Sequence, residues 1–79
     1  MKVNVLAFGI AKEIFGTNQL AIEFDGNSSE NLKRSLEKQF PRLKQLHSYL
    51  LAVNSEYASN ETVINSNDEI AIIPPVSGG

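Results

Sequence analysis

The 79-residue sequence predicts a single α+β domain: one mixed β-sheet with one main helix laid across one of its faces. Three observations lead there. Apolar residues recur at every second position in segments near both ends of the chain. Between them the spacing lengthens to every fourth residue over one stretch, the signature of an amphipathic helix. A chain this short has room for one core only, so strands and helix must share it.

Residues 2–8 alternate, with Val3, Val5 and Ala7 on one side and Asn4, Leu6 and Phe8 on the other. This is a strand with apolar side chains on both faces. Over 9–15 the period changes: Ile10 with Ile14 and Ala11 with Phe15 are four apart, giving one or two helical turns that Gly16 terminates. Residues 17–24 alternate cleanly, with Leu20, Ile22 and Phe24 inward, and Asp25-Gly26 ends the strand. Ser28 is the expected N-cap of the main helix, and Glu30 sits near the positive end of its dipole. Leu32, Leu36 and Phe40 then repeat every four residues, and Pro41 stops regular continuation. Leu43 and Leu46 allow a further short turn. Residues 50–54 form a third strand, 56–59 a weaker one, and 69–73 the last, after the turn-rich Asn65-Ser66-Asn67-Asp68. The expected core is Val3, Val5, Leu20, Ile22, Phe24, Leu32, Leu36, Phe40, Ile70 and Ile72.

One helix covers one face. Alternation therefore leaves Leu6, Phe8, Ala71 and Ile73 on the other. Periodicity leaves two alternatives open: a loop folds over that face, or it is a docking surface.

Hydrophobic residues make up 42% and charged residues 20%, the balance of a globular chain. A net charge of -2 and a pI near 5.2 argue against a nucleic-acid partner. Lys33, Arg34, Lys38, Arg42 and Lys44 nonetheless fall in one stretch, read as the solvated side of the helix and its exit, with a basic docking patch as the alternative. There is no cysteine, which excludes disulfides, thiolate catalysis and cysteine-ligated zinc. The lone His47 has no second histidine to complete a metal site and is read as a surface or boundary residue; no metal is expected. No apolar run approaches the ~20 residues of a membrane span, and no signal-peptide core follows Met1. The expectation is a cytoplasmic protein without membrane or nucleic-acid partners.

The chain closes with Pro74-Pro75-Val76-Ser77-Gly78-Gly79, directly after the apolar strand. The two prolines stop the sheet and fix the exit direction. Gly78 and Gly79 carry no side chain and suit a slot that any β-carbon would block. Residues 1–75 are thus expected to form the domain and 76–79 a flexible tail presenting the Gly79 carboxylate.

This arrangement resembles the ubiquitin-like β-grasp fold. More narrowly, the block from Asp68 through Pro74-Pro75-Val76-Ser77-Gly78-Gly79 resembles the C-terminus of the small, sulfur-carrying subunits of molybdopterin synthase. Ala52-Val53-Asn54, Lys12-Glu13-Ile14-Phe15-Gly16 and Ser28-Ser29-Glu30-Asn31-Leu32 support the match along the whole length. The resemblance implies a sulfur carrier in molybdenum cofactor biosynthesis. Gly79 would be adenylated by an ATP-dependent partner similar to the ubiquitin-activating enzymes, then converted to a thiocarboxylate. Its sulfur would pass to a cyclic pterin precursor inside the large synthase subunit, in a heterotetramer. ATP would be used by the partner, with no cofactor bound here. The resemblance also implies that Pro75, Val76, Ser77 and Gly78 form the inserted tail, and that Phe8, Ile73, Tyr57 and Lys12 contact partners. The absence of a thiol is consistent with sulfur carried on the terminal carbonyl. Ser77 stands where ubiquitin has an arginine, which speaks against tagging through ubiquitin-type enzymes.

Three alternatives stay open: a sulfur carrier for the thiazole of thiamine, a ubiquitin-like modifier joined to lysines, and an interaction module with an inert tail.

Overall fold

The structure, a computed structural model, describes residues 1–46 and 48–74. The expectations for His47 and for Pro75, Val76, Ser77, Gly78 and Gly79 lie outside the described residues.

Strand β1 (Lys2–Ala7) leads through the short helix α1 (Ile10–Phe15) into β2 (Gln19–Glu23). The long helix α2 (Ser29–Gln39) follows, then a 3-10 turn (Pro41–Gln45), β3 (Leu50–Val53), β4 (Glu56–Tyr57) and β5 (Glu69–Ile73). The sheet order is β2-β1-β5-β3-β4. β1 and β5 pair in parallel and every other neighbour pair is antiparallel, so the last strand enters beside the first at the centre of the sheet.

Each helix boundary has a local cause. α1 stops where Gly16 turns left-handed at φ 76° and its N–H returns to the Lys12 carbonyl. α2 starts on a reciprocal cap: the Asn31 N–H donates to Ser28 Oγ at 3.2 Å, and the Ser28 N–H donates to Asn31 Oδ1 at 3.2 Å. Pro41 carries no N–H to continue α2 and opens the 3-10 turn instead.

α2 lays Leu32 and Leu36 on the sheet, against the inward residues Val3, Val5, Ile22, Ile70 and Ile72 of one shared core. Two residues expected in this core are corrected to its margin. Leu20 and Phe40 are half-buried: Leu20 lies on an edge strand, and Phe40 follows the helix end, tilted on Phe15 with ring centres 4.7 Å apart. The core also takes Ala7, Ala11, Phe15, Leu43, Tyr49, Leu51, Val53 and Ile64. Ile64 is reached without a strand. The 62–64 segment makes one isolated bridge, Ser28 with Val63, and the Ile64 N–H donates to the Asn27 carbonyl. No helix of the described residues is long and apolar enough to cross a membrane.

Candidate functional site: an open apolar groove at the root of the tail

The sheet face opposite α2 carries no covering loop among the described residues. Cross-strand register sorts it into rows. Leu6 pairs with Ala71, Ala71 with Ala52, and Ala52 with Tyr57, a row that crosses four strands. Its two central members are alanines, so the row sinks in the middle between Leu6 and Tyr57. Next to it, Leu50 pairs with Ile73, and Phe8 continues β1 one residue beyond the Ala7–Ile72 pair. The row on the far side is polar: Asn4 pairs with Glu69, and Asn54 donates its N–H to the Glu69 carbonyl. Polarity thus falls along the face toward the end where β5 leaves the sheet.

The sunken row forms a groove of ≈ 280 Å³ lined by Leu6, Phe8, Ala52, Tyr57, Ala71 and Ile73, with Ser55 and Glu69 at its rim. Phe8 is 51% exposed, Tyr57 73% and Leu50 49%, whereas Ala52 at the floor is 8% exposed. Large apolar side chains at the end of β1 and on β3 and β4 are thus left half or more in water, on either side of β5, the kind of exposed apolar patch that marks interaction sites in general. The groove offers one carboxylate and two hydroxyls, and no nucleophile–base pair among its lining residues. Such a lining can bind by removing apolar surface from water.

Two backbone devices place the lining residues. Gly9 has φ 56° and ψ -130°, a conformation that side chains disfavour, and it turns the chain immediately after Phe8. A β-carbon there would lie 3.4 Å from Pro74 Cγ, so Phe8 and the departing strand are packed side by side. At the other end, Asn54 and Ser55 both take positive φ, 53° and 70°, the geometry of a two-residue hairpin turn between β3 and β4. Asn54 Nδ2 donates to Asp68 Oδ1 at 3.0 Å, and Asn54 Oδ1 accepts the Glu69 N–H at 3.0 Å. This latch fixes the hairpin, and with it Tyr57, against the start of β5. The Asn65 N–H and the Asn54 amide hold the Asp68 carboxyl below its ordinary pKa.

The structure therefore brings Phe8, Ile73 and Tyr57 into one groove. Lys12 is not among the lining residues; it is exposed on α1. Sequence reasoning missed Ala52, Leu50, Ser55 and Glu69. The signal for Ala52 was a small residue between larger ones in β3, which acquires meaning only once its cross-strand partners are known.

A family model described as the ThiS family matches residues 5–79. The chain belongs to the ThiS family. Within that family it is 48% identical over 80 residues to the molybdopterin synthase sulfur carrier subunit of Dictyostelium discoideum, covering 95% of this chain and 93% of that protein. Among solved structures it resembles the small archaeal modifier protein 1 of Methanosarcina acetivorans, with a TM-score of 0.83 and 28% identity over 99% of this chain and 96% of that one. It also resembles a chain in the complex of subunits 1 and 2 of the molybdopterin-converting factor from Helicobacter pylori 26695. There the TM-score is 0.69 and the identity 28%, with both chains covered in full. The five-stranded mixed sheet with its helix on one face is the ubiquitin-like β-grasp architecture expected from the sequence.

Proposed function

We propose that this ThiS-family chain is the sulfur carrier subunit of a molybdopterin synthase. One observation carries the reading: the central strand ends at Ile73, inside the apolar groove beside Phe8, with four residues between it and the Gly78-Gly79 pair. A partner seated on the groove would thus hold the root of the tail as it receives the tip. The relative from Dictyostelium discoideum supports the assignment to this pathway.

In the proposed cycle, the Gly79 carboxylate attacks the α-phosphate of ATP on an adenylating partner and pyrophosphate leaves. A sulfur donor then displaces AMP from the acyl carbon, leaving a thiocarboxylate. Inside the large subunit that sulfur passes to the cyclic pterin precursor, and water returns the terminus to a carboxylate. The carrier contributes an acyl terminus and a docking face. Its partners contribute the nucleotide site and the acid–base groups. Phe8, Ile73 and Tyr57 are the proposed docking residues, with Lys12 at the margin, in a heterotetramer located in the cytoplasm.

Deleting Gly79, or adding one residue after it, should abolish thiocarboxylate formation and dithiolene synthesis while the melting temperature stays unchanged. The assay combines purified large subunit, precursor and carrier, with intact-mass measurement of the carrier. Full activity from a carrier whose extension is still attached would overturn the mechanism.

A second reading, a protein modifier, is favoured by the likeness to the small archaeal modifier protein. It predicts isopeptide-linked conjugates in cells, which the same mass measurement on purified targets would reveal.

A further inference from the structure

The apolar groove leaves one prominent feature unused, the clustering of charge. Residues 29–45 hold five of the seven Lys and Arg side chains and only two of the nine acids, so the rest of the chain carries two cations against seven acids. The fold gathers the five cations on α2 and the 3-10 turn, across the sheet from the groove. Arg34 is neutralised by Glu30 at 2.9 Å. Among the described residues no acid lies within 4.0 Å of Lys33, Lys38, Arg42 or Lys44.

Between α2, the 3-10 turn and the start of β3 lies a concavity of ≈ 390 Å³ lined by Lys33, Glu37, Leu43, Lys44, Ser48 and Tyr49. Lys33 Nζ rests 5.0 Å from the centre of the Tyr49 ring, which holds the ammonium in place. The Tyr49 hydroxyl donates to the Glu37 carboxylate, the one acid among the described lining residues. Among the described lining residues, two ammonium groups and the Ser48 hydroxyl remain to receive an incoming anion.

The concavity also sits at the tail end of the sheet. β3 opens with Leu50 opposite Ile73, so Ser48 and Tyr49 come just before it, at the strand end level with Pro74. The tail root is flanked by the apolar groove on one side of the sheet and by this cationic face on the other.

We propose that the α2 face is a second docking surface, which takes an acidic segment of the protein partner that receives the tail, with a partner carboxylate seated between Lys33 and Lys44. An acidic protein segment fits better than nucleic acid. The remainder of the chain is strongly acidic and repels an extended polyanion, whereas a single Asp or Glu side chain meets only the local cations and the Leu43 side of the pocket. Such a surface acts mainly on the rate of encounter.

The identity of the probe rests on the sulfur-carrier reading: it is the purified large subunit of molybdopterin synthase from the same organism. Association and dissociation rates are measured for the full chain and for Arg42→Glu, Lys44→Glu and Lys2→Glu. All three change net charge equally, and Lys2 lies on β1, outside the cationic face. Arg42→Glu and Lys44→Glu should each slow association roughly tenfold at ~0.01 M salt, Lys44→Glu should in addition speed dissociation because it removes one of the two cations around the seated carboxylate, and both should leave melting unchanged. Lys2→Glu should change association less than about twofold, and the differences should shrink at ~0.1 M salt as the screening length falls from ~30 to ~10 Å. Equal slowing by all three variants, or by none, overturns the proposal while leaving the carrier reading intact. No binding by the unaltered chain overturns both. Retention of the chain on duplex DNA at ~0.1 M salt, lost in Lys44→Glu, would assign the face to polyanions and overturn the acidic-protein assignment.

Discussion

Replacing Phe8 by alanine tests the groove most directly. Phe8 stands at the end of β1 with 51% of its surface accessible and lies outside the buried core cluster. A phenylalanine buries ~150–250 Å² when fully covered, so about 100 Å² is left for a partner to cover. At ~25 cal/mol per Å² that surface is worth about 2.5 kcal/mol, in line with the ~2 kcal/mol or more of a central interface anchor. The dissociation constant for the large subunit should therefore rise ~60-fold. The half of the ring already packed contributes to the fold, at ~1–2 kcal/mol. A chain of this length has ~4–12 kcal/mol to draw on and stays folded. Titration calorimetry well below the melting temperature, with the folded fraction measured in parallel, separates the two effects. A dissociation constant changed by less than about threefold, or a loss that follows the unfolded fraction, would refute the groove as a docking site.

Leu36→Ala removes a fully buried side chain from the face of α2 and should cost ~2–5 kcal/mol, lowering the melting temperature by ~8 °C or more; an unchanged melt would contradict the packing of that face. Ser28→Ala removes the acceptor for the Asn31 N–H and should lower the unfolding free energy read from urea titration by ~1 kcal/mol, with Ser28→Asp largely restoring it. Burial, reinforced by the hydrogen bond and charge of Glu37, raises the pKa of the Tyr49 phenol above its ordinary value. Stability from Tyr49 is then full below ~pH 10, the unfolded-state value, and is lost as pH rises beyond it. Melting curves should fall more steeply above ~pH 10 for the unaltered chain than for Tyr49→Phe, and parallel curves would contradict the assignment.

The central strands and α2 were legible because their side chains repeat with the period of the backbone. Ser28, Gly16 and Pro41 mark their boundaries in the sequence because each acts on its own neighbours. Residues placed by tertiary contact were not legible. Ile64 has no periodic neighbours and is buried through a loop hydrogen bond to Asn27. Leu43 follows a proline in a turn whose direction local sequence does not set. Leu20 and Phe40 had the right spacing for full burial, but lie where the sheet and the helix end. Within the groove, alternation identified Leu6, Phe8, Ala71 and Ile73. The depression itself comes from two alanines on different strands that become neighbours only in the folded sheet.

The placement of β5 has a mechanical consequence. Any load applied through the residues after Pro74 enters the fold along the axis of β5, which is hydrogen-bonded to β1 on one side and β3 on the other. Such a pull shears both ladders at once and does not unzip them one bond at a time. Strands at either edge of this sheet would peel under the same force, since each has a single neighbour. The point where the described chain leaves the sheet is thus the strand held from both sides, the one position in this sheet where traction is resisted by two ladders together.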